Sequence, residues 1–138
     1  MQREQGFTLV ELMVVVAIVS ILASIALPAY TYYVMKSRIP DATSNLASKR
    51  VQQEQFFQDN RTYDGGTGCA ADSTISQFFD FSCANVTATT YTLQAVGKGP
   101  MAGFTYTVNQ ANAKASSLPG DWGGDTDGCW VSKKGGGC

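Results

Sequence analysis

The sequence predicts an α+β fold: one long amino-terminal helix, apolar in its first half and amphipathic in its second, packed on a small antiparallel sheet of about four strands. Three observations predict it. Residues Phe7 to Leu27 read FTLVELMVVVAIVSILASIAL, apolar apart from Thr8, Glu11, Ser20 and Ser24. Beyond Pro28 apolar residues recur at helical spacing. Around residues 90 to 108 the period changes to two.

Composition bounds the function. The chain has 138 residues, with ten Lys+Arg against eleven Asp+Glu and a formal net charge of −1, which suits one domain with a modest core. Histidine is absent, which removes every mechanism that relies on an imidazole base or ligand. Neither a G-x-S-x-G elbow nor a G-x-x-x-x-G-K-[ST] loop occurs, so the chain is read as a non-enzyme without a cofactor. The near-neutral balance argues against general nucleic-acid binding, which needs a clustered basic surface. Cys69, Cys83, Cys129 and Cys138 form an even set without C-x-x-C spacing, a poor match to a zinc site. Read as disulfides, they place most of the chain in an oxidising compartment outside the cytoplasm.

The 21 residues from Phe7 to Leu27 make a helix of roughly 31 Å, the thickness of a bilayer's hydrocarbon core. A secretory signal has a shorter apolar stretch and a small-residue cleavage site after it. Nothing like A-x-A precedes the Pro28 break and the sequence AYTYY, so a retained anchor is expected. Charge leaves the topology ambiguous, because Glu4 offsets Arg3 while Lys36 and Arg38 follow the span. The cysteines decide it, with the carboxyl side outside.

Glu11 is the anomaly within this run. Ionisable residues in hydrocarbon are costly and are usually paired. A cut after Gly6 would supply a cation, the free ammonium of Phe7, one helical turn away. The alternative is an acid at a helix amino terminus, favoured there by the macrodipole. From the residues alone the two readings stand level.

Gly6 to Leu12, G-F-T-L-V-E-L, resembles the class III signal of type IV prepilins: a short polar leader ending in Gly, then Phe, then Glu five residues into the mature chain. The resemblance implies that prepilin peptidase cuts between Gly6 and Phe7 and N-methylates Phe7. It also implies that Glu11 pairs with the Phe7 ammonium of a neighbouring subunit during filament growth. Residues 1–6 are then leader, 7–28 the transmembrane and filament-core helix, and 29–138 the amphipathic half-helix and head. Small positions at Ala17, Ser20, Ala23 and Ser24 permit close approach of neighbouring helices.

Pro28 and Pro40 each lack an N–H and predict bends or loosening of the helix, or else Ser37 caps a restarted helix with Pro40 in its first turn. The second half is expected from about Ala29 to about Gln58. Its apolar stripe runs through Tyr32, Met35, Ile39, Ala42, Leu46, Gln53 and Phe56, with flaws at Lys49 and Gln53, and faces the head's core. Residues 59–90 read as a connecting loop broken by Gly65, Gly66 and Gly68, with a short helical turn at STISQFF. The sequons at Asn60 and Asn85 in this stretch are taken as chance. Tyr91, Leu93 and Ala95, then Phe104, Tyr106 and Val108, alternate with polar residues and predict two strands joined by GKGPMAG. A third strand is expected near Ala113 to Ser117 and a fourth at Cys129 to Ser132.

Four cysteines permit three connectivities. Cys69 with Cys83 and Cys129 with Cys138 are chosen because each pair closes a short local loop. For a loop of about ten residues the chain-entropy model gives roughly 2.5 to 3 kcal/mol. The terminal loop C-W-V-x-K-K-G-G-x-C is similar to the D-region of pilins, in the form of the PilE-like minor-pilin branch.

Two further groups are candidate binding sites. Asp121, Asp125 and Asp127 lie in a glycine-rich stretch and form a weak calcium candidate without EF-hand spacing, of the kind the secretion pseudopilins carry near this end. Lys133 and Lys134, with Trp130 close by, form a faint basic-plus-aromatic pattern of the kind that binds single-stranded DNA. Turn capping and solvated charge explain both groups at least as well.

The expected function is a structural, minor subunit of a type IV pilus used in adhesion and twitching motility. The alternatives are a type II secretion pseudopilin and a DNA-uptake competence pilin. Its partners would be other pilin subunits, prepilin peptidase, the pilus assembly machinery and the inner membrane before assembly, with nucleic acid not expected. The location would be the bacterial inner membrane, single pass with the head in the periplasm, and then the extracellular pilus.

Overall fold

The structure, a computed structural model, describes residues 6–138. The first five residues of the expected leader, Arg3 and Glu4 among them, lie outside the described residues. One helix, α1 (Leu9–Asn60, 52 residues), is followed by five strands: β1 (Phe79–Ala84), β2 (Thr92–Gly97), β3 (Thr105–Asn109), β4 (Lys114–Ser117) and β5 (Asp125–Asp127). They form one sheet in sequence order, and every neighbouring pair is antiparallel. The chain divides into two compact units, up to Val34 and from Met35 onward.

The first unit is the apolar half of α1. Its many Val and Ile residues are mediocre helix formers in water. In hydrocarbon, where no solvent can meet a backbone N–H or C=O, the helix is the conformation that satisfies the segment internally. Ser20 and Ser24 donate their hydroxyls to the carbonyls of Val16 and Ile21, each at 2.7 Å, so neither brings an unmet polar group into the span.

Pro28 and Pro40 both lie inside the unbroken helix. The restart at Ser37 does not occur. A proline deletes one backbone donor from a helix that continues for several turns on either side. The Thr43 and Ser44 hydroxyls both turn back onto the Pro40 carbonyl.

In the second unit α1 buries Ile39, Ala42, Leu46, Lys49 and Gln53, residues spaced alternately three and four apart. The sequence read Lys49 and Gln53 as flaws, yet they continue the stripe. The Lys49 ammonium reaches the Ala70 carbonyl at 3.5 Å and the Asp72 carboxylate at 4.0 Å. Gln53 donates Nε2 to the Tyr63 carbonyl at 2.6 Å. Both therefore anchor the segment after the helix, although the Gln53 Oε1 is buried without a hydrogen-bond partner.

That segment passes very close to the helix. A Cβ at Gly66 would collide with the Gln53 amide, and one at Gly68 with the Lys49 carbonyl. These glycines are needed for close approach as well as for turning.

Two expectations for residues 59–90 are corrected. First, STISQFF is not a helical turn. Asp72 Oδ1 accepts from the Thr74 amide, the Thr74 hydroxyl and the Ile75 amide at 2.9 to 3.1 Å. Ser76 Oγ, bonded to Asp41 Oδ2 on α1, accepts from the Phe78 and Phe79 amides. Side chains have claimed the donors that a helical turn would use. Second, β1 lies in the stretch read as loop. It is an edge strand paired with β2 from Phe79↔Gly97 to Ala84↔Thr92, and Asp72 bonds across its outer side to Phe81.

The β2–β3 hairpin matches the expected alternation. Leu93 pairs with Val108 and Ala95 with Tyr106, all four buried. The core adds Phe79, Phe81, Tyr91, Met101, Phe104, Trp122 and Val131. Tyr63 and Tyr91 both donate their hydroxyls to Glu54 of α1, at 3.0 and 2.9 Å. Burial pushes the Tyr91 and Tyr106 hydroxyls well above the ordinary tyrosine range.

The expected fourth strand at Cys129 to Ser132 is not formed. The last strand is Asp125–Asp127, which pairs with β4. Residues 129–131 are held instead by side chains. Ser116 Oγ donates to the Cys129 carbonyl and accepts from the Val131 amide, both at 3.0 Å, and the Tyr106 hydroxyl donates to the Val131 carbonyl at 3.0 Å.

The glycine contact gives a direct test. Gly68→Ala should destabilise the head by about 1 to 3 kcal/mol through overpacking, read as a lowered denaturant midpoint with unchanged m. An unchanged midpoint would show that the loop can shift away from Lys49.

Candidate functional site

At the amino terminus Gly6, Phe7 and Thr8 precede the helix. Gly6 is open, since a Cβ there would meet nothing within 4 Å, and the Phe7 side chain is 87% exposed. Thr8 is the N-cap. Its Oγ1 accepts from the Glu11 amide at 3.2 Å, and Glu11 Oε2 accepts from the Thr8 amide at 3.0 Å and the Thr8 hydroxyl at 2.9 Å. This is a reciprocal capping box, legible in the sequence as T-x-x-E ahead of an apolar run but absent from the sequence reading. Glu11 is therefore a helix-end acid in the single subunit, one of the two readings left open above.

From Leu9 to Leu27 every large apolar side chain is between 52% and 74% exposed. The helix is long and apolar enough to cross a membrane, with a mean hydropathy of 2.7 over its best window. A continuous apolar surface of this length requires lipid or other apolar helices around it.

The carboxyl-terminal loop is the second region. Cys69 is paired with Cys83 and Cys129 with Cys138, at Cα separations of 4.9 and 6.0 Å. The second bridge closes a tip that docks back on the turn at Gly120–Trp122. Gly135 and Gly136 donate their amides to the Asp121 and Trp122 carbonyls, and a Cβ at Gly123 would strike the Gly136 backbone. Trp122 is buried edge-on against Phe104 at 5.2 Å.

The structure does not bring the acidic candidates together. Asp121 pairs with Lys134 at 2.8 Å, Asp125 accepts from the Ser117 hydroxyl at 2.6 Å, and Asp127 is an exposed edge residue of β5. Among the described residues no group of three acids, cysteines or histidines is placed to hold a metal.

The basic-plus-aromatic candidates are likewise engaged separately. Trp130 is half-buried, donates Nε1 to the Thr107 carbonyl at 2.8 Å, and has the Lys114 ammonium 4.4 Å from its ring centroid. Lys134 is occupied by Asp121, while Lys133 is exposed. Lys114 is the contact the sequence did not reveal, because only the β3–β4 pairing brings it to Trp130.

Comparison with known proteins follows this division of the chain. Residues 1–27 match the prokaryotic N-terminal methylation motif. Residues 28–116 match the family described as type IV minor pilin ComP, DNA uptake sequence receptor. The chain belongs to the type IV pilins, in the ComP minor-pilin family.

Among relatives of this pilin, the type IV major fimbrial protein FimA of Dichelobacter nodosus is 32% identical over 123 residues, 83% of this chain and 74% of FimA. The fimbrial protein EcpC of Eikenella corrodens is 38% identical over 69 residues, half of this chain. The chain spans about half the length of EcpC, 45%. The non-core minor pilin PilV of Neisseria meningitidis shares the fold, with a TM-score of 0.54 at 16% identity over 64% of this pilin and 91% of PilV.

The terminal loop of this pilin carries a pH signature. The hydrogen bond from Lys134 holds the exposed Asp121 carboxyl below the usual carboxylate range. A depressed folded-state value means the contact contributes stability above the unfolded value near 3.9 and loses it as pH falls through the folded value. Carboxyl-detected NMR should find Asp121 titrating below about 3.9, and Lys134→Ala should move its midpoint upward. An identical midpoint in both proteins would dissociate the ion pair from the shift.

Proposed function

We propose that this chain is a minor structural subunit of a type IV pilus. It is made as an inner-membrane protein with its head in the periplasm, and it enters a filament that serves adhesion and twitching motility. Prepilin peptidase cuts between Gly6 and Phe7 and methylates the new terminus. The observation that carries the reading is an apolar half-helix without protein cover, preceded by an exposed, non-helical Gly6–Phe7 bond.

The physics of assembly follows from those two features. A protease needs accessible backbone outside regular structure, and Gly6 to Thr8 are exposed and non-helical ahead of the helix. Cleavage turns a neutral peptide nitrogen into an ammonium, and methylation keeps that charge. The subunit then exchanges lipid contacts for helix contacts, with Ala17, Ser20, Ala23 and Ser24 permitting close approach. Glu11 would be costly unpaired in such a bundle and fixes the axial register when it meets the Phe7 ammonium of a neighbour.

The test is mass spectrometry of sheared surface filaments. Peptides beginning with methylated Phe7 are expected, and Glu11→Ala should leave processing intact while removing the protein from the filament fraction. Recovery of an uncleaved chain confined to the membrane fraction, with working assembly machinery present, contradicts the reading.

A second reading is favoured by the description of the family that matches residues 28–116: the head captures DNA as a competence pilin. Beyond Pro28 the chain carries nine basic and nine acidic side chains, so DNA binding would use a local group and not a general basic field. The matched stretch contains the exposed Arg61 and the half-buried Lys114 but not Lys133 or Lys134. Duplex binding by the detergent-solubilised chain should fall steeply with salt, and Arg61→Ala and Lys114→Ala should each reduce the salt slope by about one if they meet phosphates. Binding that is absent at low salt removes the second reading and leaves the first intact.

A further inference from the structure

Aromatic side chains bracket the apolar half of α1 and are absent inside it. None occurs between Phe7 and Tyr30, and Tyr32 and Tyr33 then follow directly. Tyr30 and Tyr33 are three residues apart and so share one face of the helix. They stand 69% and 65% exposed, and among the described residues no hydrogen-bond partner reaches either hydroxyl. The Tyr32 ring meets that of Tyr33 edge-on at 5.3 Å.

We propose that Tyr30 and Tyr33 anchor the helix at a lipid surface: the two rings seat among the headgroups of the leaflet on the carboxyl side of the span and fix how far the apolar half is drawn into hydrocarbon. The proposal rests on the membrane reading above and extends it from the segment that crosses to the residues that set its depth.

A tyrosine ring has an apolar body and a polar tip. Exposed to bulk water, the two rings leave apolar surface uncovered, whereas in the hydrocarbon core their hydroxyls would find no partner. The headgroup region satisfies both parts of the side chain, which is why tyrosines collect at membrane interfaces. The length of the helix fits this seat. From Leu9 to Tyr30 it rises roughly 31 Å at 1.5 Å per residue, close to the ~30 Å of a hydrocarbon core. With Tyr30 at one interface, the exposed and non-helical Gly6 to Thr8 fall at the other. A bilayer has one polar boundary at each end of that interval, and the exposed aromatic residues stand at both. This correspondence selects lipid over a second copy of the chain as the occupant.

The test uses the full chain reconstituted in lipid nanodiscs at one copy per disc. Fluorotyrosine replaces tyrosine in one preparation and fluorophenylalanine replaces phenylalanine in another. Tyr30→Phe, Tyr33→Phe and Phe7→Leu assign the fluorine resonances. Their paramagnetic relaxation is then compared for a nitroxide on the lipid headgroup, a nitroxide at the acyl-chain end and a soluble gadolinium chelate, each calibrated on lipids fluorinated at known depth. Tyr30, Tyr33 and Phe7 should all respond at least about twice as strongly to the headgroup nitroxide as to either other probe, as rings at headgroup level do. Tyrosines that respond most to the chelate stand in water and overturn the proposal, as do tyrosines that respond most to the acyl-chain nitroxide. A Phe7 resonance that answers to the acyl-chain nitroxide overturns the assigned depth. A headgroup response that appears only when several copies share a disc identifies a second copy as the occupant and overturns the proposal as well. The membrane reading survives each of these outcomes as long as the chain co-elutes with the discs, whereas a chain that does not enter them overturns both.

Discussion

The constraint on which the rest depends is an apolar half-helix that the subunit leaves uncovered. Folding ordinarily hides such side chains, yet the large apolar residues from Leu9 to Leu27 stand more than half exposed. Water is a poor environment for this surface. Only lipid or the equivalent surface of other copies can cover it. Membrane residence and polymerisation are two answers to the same requirement, and a protein that moves between them must manage its one charge in the span.

That charge is managed locally first. The Thr8 box gives Glu11 hydrogen-bond partners within the single chain, so the acid is not orphaned in the single subunit. The serine hydroxyls are handled in the same way, each closed onto a carbonyl of its own helix. The span is thus polar in sequence at four positions but offers its neighbours a nearly uniform apolar face.

The head solves a different problem. A sheet of five short strands has little core of its own, and α1 completes it with a narrow stripe in which two of five members are polar. Lys49 and Gln53 hold the segment that follows the helix, and Gly66 and Gly68 let it lie close. At the other end Ser116 and Tyr106 grip the residues beside Cys129, and the Cys129–Cys138 bridge closes the tip onto Asp121 and Trp122. Buried hydrogen bonds and disulfides do here what additional strands would do in a larger domain.

Much of this was legible in the residues. The long apolar run, the helical stripe and the alternation in YTLQA and FTYTV carry periodicities that local chemistry dictates, so the sequence by itself determined the helix, the central hairpin and the anomaly of Glu11. The class III signal was legible because its parts are adjacent along the chain. What it did not determine is what depends on distant partners. The alternation of Phe79, Phe81 and Cys83 in β1 was hidden behind the glycines of residues 65–68 and within a run of four aromatic and acidic residues, Phe78 to Phe81, and its identity as a strand comes from pairing with β2. The path of Cys129 to Ser132 was decided by Ser116 and Tyr106, the role of Lys49 by Ala70 and Asp72, and the separate engagement of Asp121 and Asp125 by Lys134 and Ser117. Periodicity is a property of neighbours in sequence, whereas hydrogen-bond and ion-pair partners are chosen among groups that only the folded chain brings within reach.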